Sequence, residues 1–221
     1  MEGVDLVVPV KRLAAAKTRL RDPAGDPAAH TRLALALTLD TVAAARTARR
    51  VRTVLVVTAD RTVAATLAAS GIEVADDPLV GLNAAYDRGA RLLRERDPRT
   101  AVGALQADLP ALRPAELDAA IAAALATGGR AFTADAEGTG TTFLLAAAAT
   151  ALEPRFGGGS AERHRMSGAV PLAGAWPSLR RDVDTAADLA EAVVLGLRHR
   201  TGAVASSERE TIVGPAGMTG V

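Results

Sequence analysis

Short runs of aliphatic and β-branched residues alternate along the chain with longer stretches in which Leu and Ala recur at helical spacing. Asp5–Val10 (DLVVPV) reads as a buried strand. Asp26 followed by Pro27 marks a helix start, an N-cap with proline at the first helical position, and this helix runs to about Ala48. Val51–Thr58 is the clearest second strand. A helix over Arg61–Ser70 stops at Gly71, and Ile72–Ala75 is a short third strand. Leu82–Arg96 is a helix with Leu, Ala and Tyr on one side, Ala101–Gln106 a strand, and Pro114–Thr127 a helix halted by Gly128-Gly129. Ala131–Ala134 and Thr142–Ala148 read as strands joined through Gly138-Thr139-Gly140. A short helix starts at about Ser160, Ala169–Leu172 is a last strand, and Thr185–Leu197 a last helix.

Strands separated by helices of this length predict an α/β class, with a mostly parallel central sheet and helices on both faces. One domain is expected over residues 1–198, followed by a loose Ser/Gly-rich tail over 199–221. Sheets of this kind bind ligands outside the carboxyl ends of their strands. The informative residues are therefore the polar ones just past each strand.

Composition narrows the chemistry. The 221 residues are 49% hydrophobic but only 2% aromatic, and 51 of them are Ala, so the core must be built from Val, Leu and Ala packed closely. The 26 basic and 25 acidic residues balance to a net charge of +1, which argues against a broad basic face for nucleic acid. Cysteine is absent, excluding disulfides, thiolate metal sites and a cysteine nucleophile. No segment reaches the roughly 18–20 apolar residues that cross a bilayer, and the N-terminus lacks a signal-peptide pattern, so a soluble cytoplasmic protein is expected. Of the basic residues 24 are Arg and only 2 are Lys, Lys11 and Lys17, both in the loop after the first strand.

That loop, Val10-Lys11-Arg12-Leu13-Ala14-Ala15-Ala16-Lys17, puts cations and small residues beside the sheet, an arrangement suited to a polyphosphate. It lacks the Gly-x-x-x-x-Gly-Lys pattern of a P-loop. Asp108, in Gln106-Ala107-Asp108-Leu109-Pro110, ends a buried strand and is either a turn cap or a functional carboxylate. Asp182-Val183-Asp184 precedes a helix. With Val183 in the core both carboxylates face the same way, although Asp184 could also be a plain N-cap. Together the three carboxylates make a reasonable hard-cation site for magnesium, Mg²⁺. Gly138-Thr139-Gly140-Thr141-Thr142 and Phe156-Gly157-Gly158-Gly159-Ser160 are either flexible turns or the two sides of an anion pocket, with His164 close to the second. His30 and His199 read as surface residues, and no serine-hydrolase arrangement is present.

Taken together these segments resemble the phospholactate/phosphoenolpyruvate guanylyltransferase family of deazaflavin coenzyme F(420) biosynthesis. The match is carried by VVPVKRLAAAKTRL (Val7–Leu20), DDPLVGLNAA (Asp76–Ala85), ADLPAL (Ala107–Leu112), GTGTT (Gly138–Thr142), FGGGSAERH (Phe156–His164) and DVDTAADL (Asp182–Leu189). The resemblance implies a Rossmann-like nucleotidyltransferase fold that joins GTP to a phosphorylated three-carbon acid and releases pyrophosphate. It further implies that Asp108, Asp182 and Asp184 hold Mg²⁺, with Asp108 and Lys17 serving catalysis. Thr142, Gly157 and Ser160 would bind the acceptor phosphate, with Thr141 a neighbouring candidate. Lys17 would meet the GTP phosphates, and Asn83 would lie near the nucleoside. A transient hand-off to a downstream transferase is also implied.

The Arg-rich, Lys-poor composition points to the actinobacterial branch, and hence to phosphoenolpyruvate rather than 2-phospho-L-lactate as acceptor. A pocket separates two such shapes by only about 1–3 kcal/mol. Two rivals stay open. One is a molybdenum-cofactor-type nucleotidyltransferase of the same fold, although Ala14–Ala16 stands where a glycine-rich first loop is usual. The other is a non-catalytic nucleotide-binding module.

Overall fold

A computed structural model describes residues 3–13 and 26–212. In chain order its first half runs β1 (Val4–Val10), α1 (Pro27–Thr47), β2 (Val51–Thr58), α2 (Arg61–Ala69), β3 (Glu73–Asp76), α3 (Leu82–Arg96) and β4 (Ala101–Leu105). The second half runs α4 (Pro114–Ala126), β5 (Arg130–Ala134), β6 (Thr141–Ala146), α5 (Ser160–Met166), β7 (Val170–Pro171), α6 (Pro177–Arg180), α7 (Ala186–Leu195) and α8 (His199–Ile212).

The strands form one seven-stranded sheet in the order β3-β2-β1-β4-β6-β5-β7. β1, an interior strand, is buried along its whole length, as its nearly continuous apolar run requires. β6 runs antiparallel to both β4 and β5, while the other pairings are parallel. Alternation along β1 divides the core. Leu6, Val8 and Val10 pack with Val42 of α1, Val63 of α2 and Ile121 of α4, whereas Val7 packs with Tyr86, Ala90 and Leu93 of α3. Helices therefore cover both faces, as expected. The Ala-rich composition permits close layers: a Cβ on Gly89 of α3 would lie 2.3 Å from Val7 Cγ1.

The helix starts follow local capping chemistry. Asp26 accepts from the N–H groups of Ala28 and Ala29 at the head of α1, and Asp60 does the same for Thr62 and Val63 of α2. Among the described residues no helix is long and apolar enough to cross a membrane.

The expected loose tail is corrected over His199–Ile212, which forms α8. The buried carboxylate of Asp40, on α1, accepts from the N–H of Thr201 at 2.7 Å, and Arg198 N–H donates to Pro110 O at 3.2 Å. A helix start needs acceptors for its orphan N–H groups. Here the acceptor comes from a distant element, so the tail's own composition gives no sign of it. The short helix α6 is also unanticipated. Glu116 anchors it by accepting from both the N–H and the hydroxyl of Ser178, each at 2.8 Å.

Candidate active site

The sheet is built outward in one direction through β2 and β3 and in the other through β4, so the order reverses between β1 and β4. A crevice outside the carboxyl ends of those two strands is the topological switch point of such a sheet. A cavity of 640 Å³ lies there. It is bordered by Pro9–Lys11 at the carboxyl end of β1, Gln106–Asp108 past β4, Asp135 and Thr139–Thr141 around the β5–β6 turn, the Gly157–Ser160 loop, and Asp182 and Asp184.

The acidic side is assembled by main-chain contact. Val183 N–H donates to Asp108 O at 3.1 Å, and the Val183 side chain is fully buried with Leu33, Leu37, Ala111 and Ala192. Period-two alternation then presents Asp182 and Asp184 to the cavity. Asp184 is not the cap of the following helix. Thr185 is the N-cap of α7, in a reciprocal capping box with Asp188. Asp135, Glu137 and Asp182 each place a carboxylate oxygen within 4.8 Å of the others, a cluster able to hold a metal ion. Two of its members have structural duties as well. Asp135 Oδ1 and Oδ2 accept from the N–H groups of Thr139 (2.8 Å) and Gly140 (2.7 Å), which shapes the turn, and Glu137 pairs with Arg181 at 2.7 Å.

The glycine-loop side is built on a buried aromatic cluster. Tyr86 stacks on Phe156 with ring centroids 4.3 Å apart, Phe156 meets the His164 ring edge-on at 5.1 Å, and Phe132 lies 5.7 Å from it. Burial, together with the charge of Asp108, pushes the Tyr86 phenol well above its ordinary value, and its O–H donates to Leu105 O at 3.1 Å. His164 is fully buried on α5. Its pKa is pushed down to about 4, by burial first and then by the surrounding Arg163, Arg130 and Arg155. Nε2 accepts from Arg155 N–H and Nδ1 meets Thr141 Oγ1, each at 2.9 Å. Gly157 and Gly159 take φ values of +121° and +68°, a region that favours glycine. The Arg163 guanidinium secures the loop by donating to the carbonyls of Gly158 and Arg155.

The fold thus brings Asp108, Asp182, Asp184, Thr141, Gly157 and Ser160 to one cavity, with Lys11 at its edge. Two expected residues do not line it. Asn83 is held by the main chain of Phe156, accepting from its N–H at 2.8 Å and donating to its carbonyl at 3.3 Å. Its amide thereby fixes the start of the glycine loop. Thr142 is fully buried, with its hydroxyl turned toward Thr133 O. Lys17 lies outside the described residues. Asp135 was not singled out from sequence. Its signal is an Asp three residues before Gly138 in DAEGTG, the position from which a carboxylate can cap a turn.

Comparison with known proteins gives the family and the fold. Residues 4–203 match a family model described as "Guanylyl transferase CofC like". The phosphoenolpyruvate guanylyltransferase of Geodermatophilus obscurus is 54% identical over 204 residues, covering 90% of this chain and 92% of that protein. The enzyme of the same name from Streptomyces scabiei is 53% identical over 207 residues, covering 91% of this chain and 95% of that protein. Among solved structures, a putative nucleotide-diphospho-sugar transferase from Desulfovibrio desulfuricans superposes with a TM-score of 0.68 at 15% identity, covering 96% of this chain and 98% of its own. A 4-diphosphocytidyl-2C-methyl-D-erythritol synthase gives 0.60 at 13% identity, covering 88% and 99%. At such identities these structures show the fold alone, that of nucleotidyltransferases.

Proposed function

The chain belongs to the CofC-like guanylyl transferase family, and from that premise we propose that it transfers the guanylyl group of GTP to phosphoenolpyruvate. The products are enolpyruvyl-2-diphospho-5'-guanosine and pyrophosphate. The observation that carries this reading is a single cavity lined both by carboxylates and by the Thr141 and Gly157–Ser160 segments. Such a site accommodates a metal-bound nucleotide and a second phosphate together. The acceptor is assigned from the relatives named phosphoenolpyruvate guanylyltransferase.

In the reaction an oxygen of the acceptor phosphate attacks the α-phosphorus of GTP. The bond from that phosphorus to the α,β-bridging oxygen breaks, and pyrophosphate leaves with its electron pair. The nucleophile arrives already anionic, so the chain need not supply a general base. Its work is to position two polyanions and to offset their charge. Asp108, Asp182 and Asp184 would hold Mg²⁺. All three line the cavity and offer only oxygen donors, and Asp182 also belongs to the Asp135–Glu137–Asp182 cluster, a set that fits a hard cation. When bound, the ion supplies positive charge that reduces the repulsion between attacking and attacked phosphates. Thr141, Gly157 and Ser160 bind the acceptor phosphate, and Lys11 and Lys17 of the first loop meet the GTP phosphates. The activated diester is suited to consumption by a downstream transferase, and the reaction is placed in the cytoplasm.

The test incubates the protein with GTP, Mg²⁺ and either phosphoenolpyruvate or 2-phospho-L-lactate and measures pyrophosphate. Release with phosphoenolpyruvate is expected. Release with 2-phospho-L-lactate alone would reassign the acceptor, and no release with either would return the chain to a nucleotide-binding module.

A further inference from the structure

His164 is not required by the reaction just described, yet it is fully buried against the acceptor side of the cavity with both ring nitrogens engaged. A backbone N–H can only donate, so Nε2, 2.9 Å from Arg155 N, must be the accepting nitrogen. A neutral ring then carries its hydrogen on Nδ1. That hydrogen points at Thr141 Oγ1, 2.9 Å away. The Thr141 hydroxyl therefore receives a hydrogen bond from behind, which leaves its own O–H to be directed elsewhere. Thr141 borders the cavity.

We propose that His164 is a positioning residue, held as its Nδ1–H tautomer by Arg155 N–H, which orients the Thr141 hydroxyl as a hydrogen-bond donor to the phosphate of the acceptor. The inference rests on reading the Thr141 side of the cavity as the acceptor-phosphate site. A flip of the ring would put carbons where Nδ1 and Nε2 stand and lose both bonds, and Phe132 and Phe156 pack against it. Of the five aromatic residues in the chain, three (Phe132, Phe156 and, through Phe156, Tyr86) gather around this imidazole. Rigidity of this kind matters because a hydroxyl hydrogen rotates freely unless a donor occupies the oxygen's lone pair. A chain of polarised bonds from Arg155 through His164 to Thr141 also strengthens the terminal donor.

Two substitutions separate positioning from packing. Gln at 164 can keep an acceptor where Nε2 stood but loses the donor to Thr141, whereas Asn can keep a donor where Nδ1 stood but loses the acceptor for Arg155 N–H. His164→Gln is expected to raise the KM for phosphoenolpyruvate about tenfold, the effect of one hydrogen bond to a charged group, with the KM for GTP unchanged. His164→Asn is expected to stay within about threefold of the parent. In a Thr141→Val background His164→Gln should add nothing further, since the group it orients is gone. Equal losses in the Gln and Asn variants, a parallel rise in the KM for GTP, or additivity with Thr141→Val would overturn the proposal.

Long-range ¹H–¹⁵N NMR of the unmodified protein supplies a readout that needs no variant to fold and no turnover. It should show a neutral His164 protonated on Nδ1, with a shift that moves saturably on titration with inorganic phosphate. An Nε2-protonated ring, or a ring indifferent to phosphate, would overturn the proposal. If the unmodified protein releases no pyrophosphate with phosphoenolpyruvate, the functional reading falls separately, and the tautomer and phosphate titration still decide the role of His164.

Discussion

The main-chain N–H of Val183 donates to the carbonyl oxygen of Asp108 over 3.1 Å, tying the segment that ends β4 to the segment that begins α7. Because this bond runs through the backbone, side-chain substitution at Asp108 or Asp184 leaves it in place. The carboxylates can therefore be removed without dismantling the wall that carries them.

Asp108→Ala and Asp184→Ala are each expected to lower turnover by on the order of a thousandfold, about 4 kcal/mol in the barrier, with the fold retained. Pyrophosphate release and thermal melting, measured side by side, check this. Full activity in either folded variant would sink the metal assignment, as would activity that survives a chelator.

Gly140 has no room for a side chain, since a Cβ there would lie 2.2 Å from Asp135 Oδ2. Gly140→Ala must displace the carboxylate that receives the N–H groups of Thr139 and Gly140. The expected cost is about 1–3 kcal/mol of stability, from overpacking and the disturbed hydrogen bonds. A raised acceptor KM should accompany it, because Thr141 follows directly. Urea denaturation with steady-state kinetics measures both, and an unchanged KM would detach the turn from the site.

The buried imidazole makes stability depend on pH in a defined direction. The folded-state pKa of His164 is depressed from 6.5 to about 4, so the unfolded chain binds a proton that the folded one refuses. Its contribution is fully present above 6.5 and is lost as pH falls toward 4. The loss from this group is up to about 1.4 kcal/mol per pH unit. Urea midpoints across this range should fall for the parent and fall less steeply for His164→Gln. Parallel curves would place the acid sensitivity elsewhere.

At the amino end of β1, away from the cavity, buried Asp5 accepts from Arg52 Nε (3.0 Å) and Nη2 (2.7 Å) and from the Thr100 hydroxyl (2.9 Å). Asp5 and Asp97 hold the Arg52 guanidinium firmly protonated. Arg52→Ala strands a buried carboxylate. As Arg52 itself is 44% exposed, the penalty is discounted from the fully buried case to about 2 kcal/mol. Stability by denaturant should drop by that amount while kcat stays unchanged. A fall in kcat in the folded variant would contradict the separation of the two ends of the sheet.

Much of this molecule was readable from local pattern. Most of the strand and helix order, helices on both faces, the cap at Asp26, and the outward pairing of Asp182 and Asp184 about a buried Val183 all follow from relations within a few residues. Periodicity and capping are local physics, and the linear chain displays them.

What only the tertiary structure decided are the partnerships between distant segments. The 199–212 stretch becomes a helix because Asp40 of α1 receives its N–H groups. Asn83 serves the Phe156 main chain, and His164 is set between Arg155 N–H and Thr141. The residue types at those positions allow several roles. A hydrogen bond from across the fold selects one, because a buried polar group must find a partner and the linear sequence does not say which. Residue type and spacing thus determined which chemistry the chain carries, and long-range polar satisfaction determined how its side chains are aimed.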